Sequence, residues 1–178
     1  SFFNSIKNQI TKESYTMFKS IYNIEKPLAV GDKAPDFLLY DKNESVYTLE
    51  DFKGSYIYID VWASYCGPCI KEFPYFEQLK QDFQGEKIAF VSISLDRKET
   101  DWLSSVSENN MTKYQFTVKN DWSSDFVKSY DLNHFGIPYY IIIDPNGNVL
   151  KLPAPKPSEA KNFLEKVLSH SESDAKLL

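Results

Sequence analysis

The sequence predicts an α/β domain built around one strand–helix–strand unit. Two runs rich in β-branched and aromatic residues, Tyr56 to Val61 and Lys87 to Leu95, read as buried strands. Ile70 to Phe83 between them reads as a helix, an order that argues a right-handed parallel crossover. The turn from the first strand into that helix carries both cysteines of the chain, Cys66 and Cys69.

The 178 residues suffice for one domain with a proper core, and 42% hydrophobic and 16% aromatic content excludes a disordered chain. A net charge of -5 gives no reason to expect nucleic-acid binding. No apolar run is long enough to span a bilayer. No signal peptide is legible, and the opening at Ser1 without methionine is what a processed or cropped form would show.

Residues 1–27 are expected to hold an N-terminal helix, because Phe3, Ile6, Ile10, Met17 and Ile21 recur at helical spacing before Glu25-Lys26-Pro27 ends the pattern. It would dock on the main domain, or else form the tail of a preceding domain or a dimer contact. Residues 28–170 form the main domain. Phe37 to Tyr40 and Val46 to Thr48 read as a hairpin around Asp41 to Ser45, followed by a helical turn from Leu49 to Gly54. Pro74 lies inside the helix after the cysteines. Beyond Leu95 the pattern predicts a helix over Asp101 to Glu108, a short strand over Tyr114 to Val118 and a helix over Ser123 to Tyr130. Tyr139 to Ile143 is an apolar strand. Asp144-Pro145-Asn146-Gly147-Asn148 turns it into Val149 to Leu152. Pro153, Pro155 and Pro157 stiffen the link to a helix over Ser158 to Leu168, and the polar end from Ser169, with 171–178 as a tail, is expected to fray.

Two cysteines with only two residues between them staple almost nothing, so the pair suits reversible redox chemistry better than a structural bridge. Cys66 precedes the helix, where free N–H groups and the helix dipole favour a thiolate, and so fits the nucleophile. Cys69, one turn in, fits the resolving thiol. Gly67 and Pro68 set the geometry between them. Release of product requires Cys69 to lose a proton. Asp60, a charge within an apolar strand, and Glu72, one turn after Cys69, are the candidate acceptors. The bland alternatives are a strand-end Asp60 facing solvent and a solvated Glu72 paired with a lysine. A zinc site is disfavoured, because only the distant His134 and His170 could join the cysteines.

Trp62-Ala63-x-x-Cys66-Gly67-Pro68-Cys69 resembles the active-site signature of thioredoxins, with Asp60, Pro74 and Gly136-Ile137-Pro138 at matching positions. Gly31 to Phe37, Cys69-x-x-Glu72-Phe73-Pro74 and Ile143 to Gly147 are similar to the TlpA/ResA branch, related to AhpC/TSA proteins. The resemblance implies a thioredoxin-like three-layer fold: a central mixed sheet flanked by helices, an N-terminal hairpin, and an insertion before the strand that follows a cis-proline. It implies a thiol–disulfide oxidoreductase that reduces protein disulfides through a mixed disulfide, with Cys66, Cys69, Asp60 and Glu72 catalytic. Trp62, Tyr65, Gly67, Pro68, Ile137 and Pro138 would form the substrate side. No metal and no cofactor beyond the Cys66–Cys69 pair is implied. The expected partners are disulfide-containing proteins and a membrane-linked thiol donor, in a periplasmic or membrane-anchored setting. Tyr65 departs from the tryptophan usual before the nucleophile.

Two other readings compete. A thiol peroxidase would need Pro-x-x-x-Thr/Ser-x-x-Cys, and the residues before Cys66 and Cys69 do not supply it. A non-catalytic binding module would use the aromatics of the insertion (Trp102, Tyr114, Phe116, Trp122, Phe126 and Tyr130) for docking, against the plainer reading that they are core.

Overall fold

The computed structural model describes residues 27–175; the helix expected before them lies outside the described residues. Seven strands form one mixed sheet: β1 (Leu39–Tyr40), β2 (Val46–Tyr47), β3 (Tyr56–Trp62), β4 (Ile88–Ser94), β5 (Gln115–Thr117), β6 (Tyr139–Ile143) and β7 (Val149–Lys151). Their spatial order is β2-β1-β5-β4-β3-β6-β7. The pairs β3–β4 and β4–β5 are parallel; the other neighbours are antiparallel. Helix α1 (Gly67–Asp82) makes the parallel crossover from β3 to β4. The parallel crossover is the one the strand–helix–strand pattern predicts, and the fold as a whole is thioredoxin-like, as the family resemblance implies.

Alternation along β3 divides the core in two. Ile57, Ile59 and Val61 join Val91, Ile93, Ile141 and Ile143 on one face. There the sheet is covered by Phe126, Val127, Tyr130 and Leu132 from the insertion. Tyr58 looks the other way and packs with Phe90, Tyr140 and Ile142 beneath Phe76 and Leu79 of α1 and Ala160 and Leu164 of α5 (Pro157–Ala175). Each such side chain contributes roughly 1.5–3 kcal/mol on leaving water. Asp60 and Trp62 share this second face.

Several elements differ from the sequence reading. The hairpin strands shorten to two residues each, and the opening Gly31–Ala34 instead bonds along β7, Gly31 N–H to Val149 O at 2.8 Å. The single helix expected over Ser123 to Tyr130 is a 3-10 turn at Asp121–Ser123 followed by α3 (Asp125–Ser129). The Ser124 hydroxyl accepts the Val127 N–H and so starts the helix at Asp125, two residues later than expected. Asp131, with φ 53°, ends α3 and opens an unanticipated short helix, α4 (Leu132–Phe135). Helix α2 (Glu99–Glu108) begins two residues before the reading. Helix α5 runs to Ala175 instead of fraying at Ser169, since no glycine or proline interrupts it. Trp102, Phe116, Phe126 and Tyr130 are buried, so these insertion aromatics are core and not a docking surface.

Candidate active site

The site is assembled at the ends of β3 and β4. Trp62 O accepts the Leu95 N–H at 2.8 Å, which continues the parallel ladder just past both strands. The chain then turns, with Cys66 N–H donating to Ala63 O at 2.9 Å, and enters α1. Cys66 is the N-cap of α1, and Pro68 lies in its first turn, where the missing N–H costs nothing. Cys66 and Cys69 are joined by a disulfide, and the Cys69 N–H points at Cys66 Sγ at 3.2 Å. Cys66 keeps 7% of its surface and Cys69 only 1%. Gly67 and Pro68 are exposed beside them.

Asp60 lies one turn of the pleat below. Its neighbours on that face are Tyr58, packed on Phe76, and Trp62, edge-on to Phe73 at 4.8 Å between ring centroids. The helix that carries Cys69 therefore covers it. Asp60 is 1% exposed, and among the described residues neither carboxylate oxygen has a hydrogen-bond partner. Burial pushes its pKa up to about 8; the Lys80 charge opposes this and the Glu72 charge adds to it. Lys80 is itself largely buried, which lowers its pKa, and its ammonium is held by Glu77 at 2.7 Å and the Thr112 carbonyl at 2.8 Å. The strand-end, solvent-facing alternative for Asp60 does not hold.

Glu72 is engaged at the start of α5. Its carboxylate accepts the Ser158 N–H at 2.9 Å and the Ser158 hydroxyl at 3.1 Å, and Lys156 stands 3.7 Å away. It caps α5, where a negative charge suits the helix N-terminus.

The residues expected on the substrate side divide. Tyr65 is 65% exposed next to Cys66, and its hydroxyl accepts the Trp122 indole N–H. Ile137 is half-buried and packs with the cluster holding Cys66 and Cys69; the Ile137–Pro138 peptide is cis. A second cis bond, Leu152–Pro153, lies in the proline-rich connector. Trp62 is a correction: it is fully buried among Cys66, Cys69, Phe73, Trp102 and Met111 and cannot touch a partner. The pleat that turns Asp60 under α1 turns Trp62 under it too. His134 is exposed on α4, edge-on to Phe135.

One functional candidate escaped the sequence reading. Asp96, just past β4, is buried and accepts hydrogen bonds from the Ser64 N–H at 3.0 Å, the Ser64 hydroxyl at 2.7 Å and the Ser94 hydroxyl at 2.7 Å. The signal was a charge directly after an apolar strand, the same anomaly that marked Asp60.

Comparison with known proteins matches residues 29–168 to the family described as Redoxin. The chain is 28% identical over 157 residues to the thiol-disulfide oxidoreductase ResA of Bacillus cereus, covering 86% of this chain and 85% of that protein. It is similar to the thioredoxin domain of a thiol-disulfide oxidoreductase from Bacteroides vulgatus, with TM-score 0.72 and 30% identity over 79% of this chain and 99% of that one. A thiol:disulfide interchange protein from Bacteroides sp. gives TM-score 0.72 and 30% identity over 80% and 91% of the two chains.

Proposed function

The chain belongs to the redoxin family and is a thiol–disulfide oxidoreductase, and from that premise we propose that it works as a reductant of protein disulfides. The observation that carries the reading is the asymmetry of the pair. Cys66 sits at the rim with a helix N–H on its sulfur, and Cys69 is buried on the helix that covers Asp60.

The reduced Cys66 thiolate attacks a substrate disulfide. A Cys66–substrate S–S bond forms, the substrate S–S bond breaks, and its electron pair leaves on the second substrate sulfur as a thiolate. The Cys69 thiol gives its proton to Asp60 and attacks Cys66 Sγ, which releases the other substrate sulfur and leaves the Cys66–Cys69 disulfide. The dithiol loses two electrons and the substrate gains them. Burial raises Asp60 toward the thiol range, so it accepts the Cys69 proton more readily than an ordinary carboxylate would. The electrons are resupplied by a second thiol protein, and the cysteine pair needs no further cofactor. Tyr65, Gly67, Pro68, Ile137 and Pro138 form the rim against which the partner chain lies. An extracytoplasmic setting fits the likeness to ResA. Among the described residues no helix is long and apolar enough to cross a membrane.

Cys69→Ser tests the mechanism. Mixed disulfides through Cys66 should accumulate with partner proteins. If none forms while Cys66 remains reactive to a small alkylating agent, the exchange mechanism fails.

A further inference from the structure

The loop before the nucleophile is held by a group that plays no part in the exchange steps. Asp96 follows the last residues of β4 and receives three donors in a buried position: the Ser64 N–H, the Ser64 hydroxyl and the Ser94 hydroxyl. Its own N–H donates to Ser94 Oγ at 2.9 Å, so Ser94 both receives and returns a bond. Charge-assisted bonds of this kind are roughly twice as strong as neutral ones. Ser64 lies within the Ala63–Cys66 turn, whose closing bond is Cys66 N–H to Ala63 O. Fixing Ser64 therefore fixes the direction in which the chain enters α1 and the place of Cys66 Sγ over the Cys69 N–H.

We propose that Asp96 is a positioning residue for Cys66: its carboxylate clamps the turn through Ser64, which precedes the nucleophile by two residues, and its charge, buried against that turn, opposes the thiolate. The side chains packed with Cys66 are Trp62, Cys69, Phe73, Trp102 and Met111. Among these only Cys69 titrates. Asp60 lies under the same helix, with Lys80 and Glu72 of that helix acting on it, and Arg97 beside Asp96 is exposed and paired with Asp121. The helix N-terminus stabilises a thiolate at Cys66, and Asp96 moderates it, which keeps the disulfide from being too readily reduced and so favours the reductant direction. This inference rests on the oxidoreductase reading but is measured without a substrate.

The test is the pH profile of iodoacetamide alkylation of Cys66 in the fully reduced chain, with Cys69 present. Asp96→Asn removes the charge and keeps an oxygen for the Ser64 N–H. Its midpoint should fall by about half a pH unit or more. Asp82→Asn, at the far end of α1, should leave the midpoint where it is. Asp96→Ala removes the clamp as well, and its rate with a protein disulfide should fall at least about tenfold below that of Asp96→Asn. An unmoved midpoint in Asp96→Asn, or an equal fall in Asp82→Asn, overturns the charge assignment. Equal rates in a folded Asp96→Ala and Asp96→Asn overturn the clamp. Should Asp96→Ala not fold, Ser64→Gly replaces it, because it loses the hydroxyl arm and frees the turn; its rate should fall in the same direction, and an unchanged rate counts against the clamp. Loss of exchange activity in the wild type would instead sink the oxidoreductase reading and leave the midpoints intact.

Discussion

The Trp122 indole N–H donates a 2.7 Å hydrogen bond to the hydroxyl of Tyr65, the residue immediately before Cys66. That bond joins the 3-10 turn of the insertion to the rim of the redox site. The insertion thereby supplies one wall beside the nucleophile, and the tyrosine that departs from the thioredoxin pattern has a partner that suits it. Tyr65→Phe removes the acceptor and leaves the ring. It should lower stability by about 0.5–1.5 kcal/mol, read by urea denaturation. Tyr65→Ala should lower kcat/KM for a protein disulfide by at least about fivefold while leaving the rate with a small aromatic disulfide nearly unchanged. An equal loss with both substrates would show that Tyr65 acts on the cysteine and not on the partner.

Asp60 makes stability depend on pH in an unusual direction. Its folded pKa is raised to about 8, against about 3.9 for an unfolded aspartate. Below about pH 4 both states hold the proton and the group has no pH-dependent effect. Between about 4 and 8 the folded state binds more protons than the unfolded one, so stability falls as pH rises, by up to about 5 kcal/mol in total. Asp60→Asn should flatten that fall and make the oxidised protein more stable than wild type above pH 8, by thermal or urea unfolding. The same variant should slow release of the mixed disulfide. A stability profile unchanged by the substitution would mean that Asp60 is not the buried acid described above.

Glu72 bears on that acid from a distance. Its charge raises the Asp60 pKa, and its carboxylate caps α5 through Ser158. Glu72→Gln should lower the Asp60 midpoint, observed by carboxyl infrared titration. It should also cost about 1 kcal/mol of stability through the weakened cap. A role as the direct proton acceptor for Cys69 predicts instead that Glu72→Gln abolishes release of the mixed disulfide, a difference single-turnover kinetics would resolve.

The parts of the site that lie close together in sequence were legible: the cysteine pair, its place at a helix start, the buried Asp60 within an apolar strand, and Pro138 through the family resemblance. Their partners were not. Glu72 finds Ser158 86 residues on, and Tyr65 finds Trp122 57 residues on. Asp96 reaches Ser64 only because β3 and β4 pair in register, with Trp62 opposite Ser94. The resemblance puts Trp62 on the substrate side as the first residue of the motif. The period-two alternation through Tyr58 and Asp60 already turned it inward, and that pattern outweighs its place in the motif. The single helix read over Ser123 to Tyr130 failed for a local reason, since a serine that caps a helix from its own side chain looks in the sequence like part of it.

The most direct test of the account is the reduction potential of the Cys66–Cys69 pair, by equilibration against dithiothreitol and glutathione with thiol trapping. A reductant of protein disulfides requires a value near or below roughly -230 mV. A value above roughly -180 mV would make the pair an oxidant or isomerase and contradict the proposed direction of electron flow.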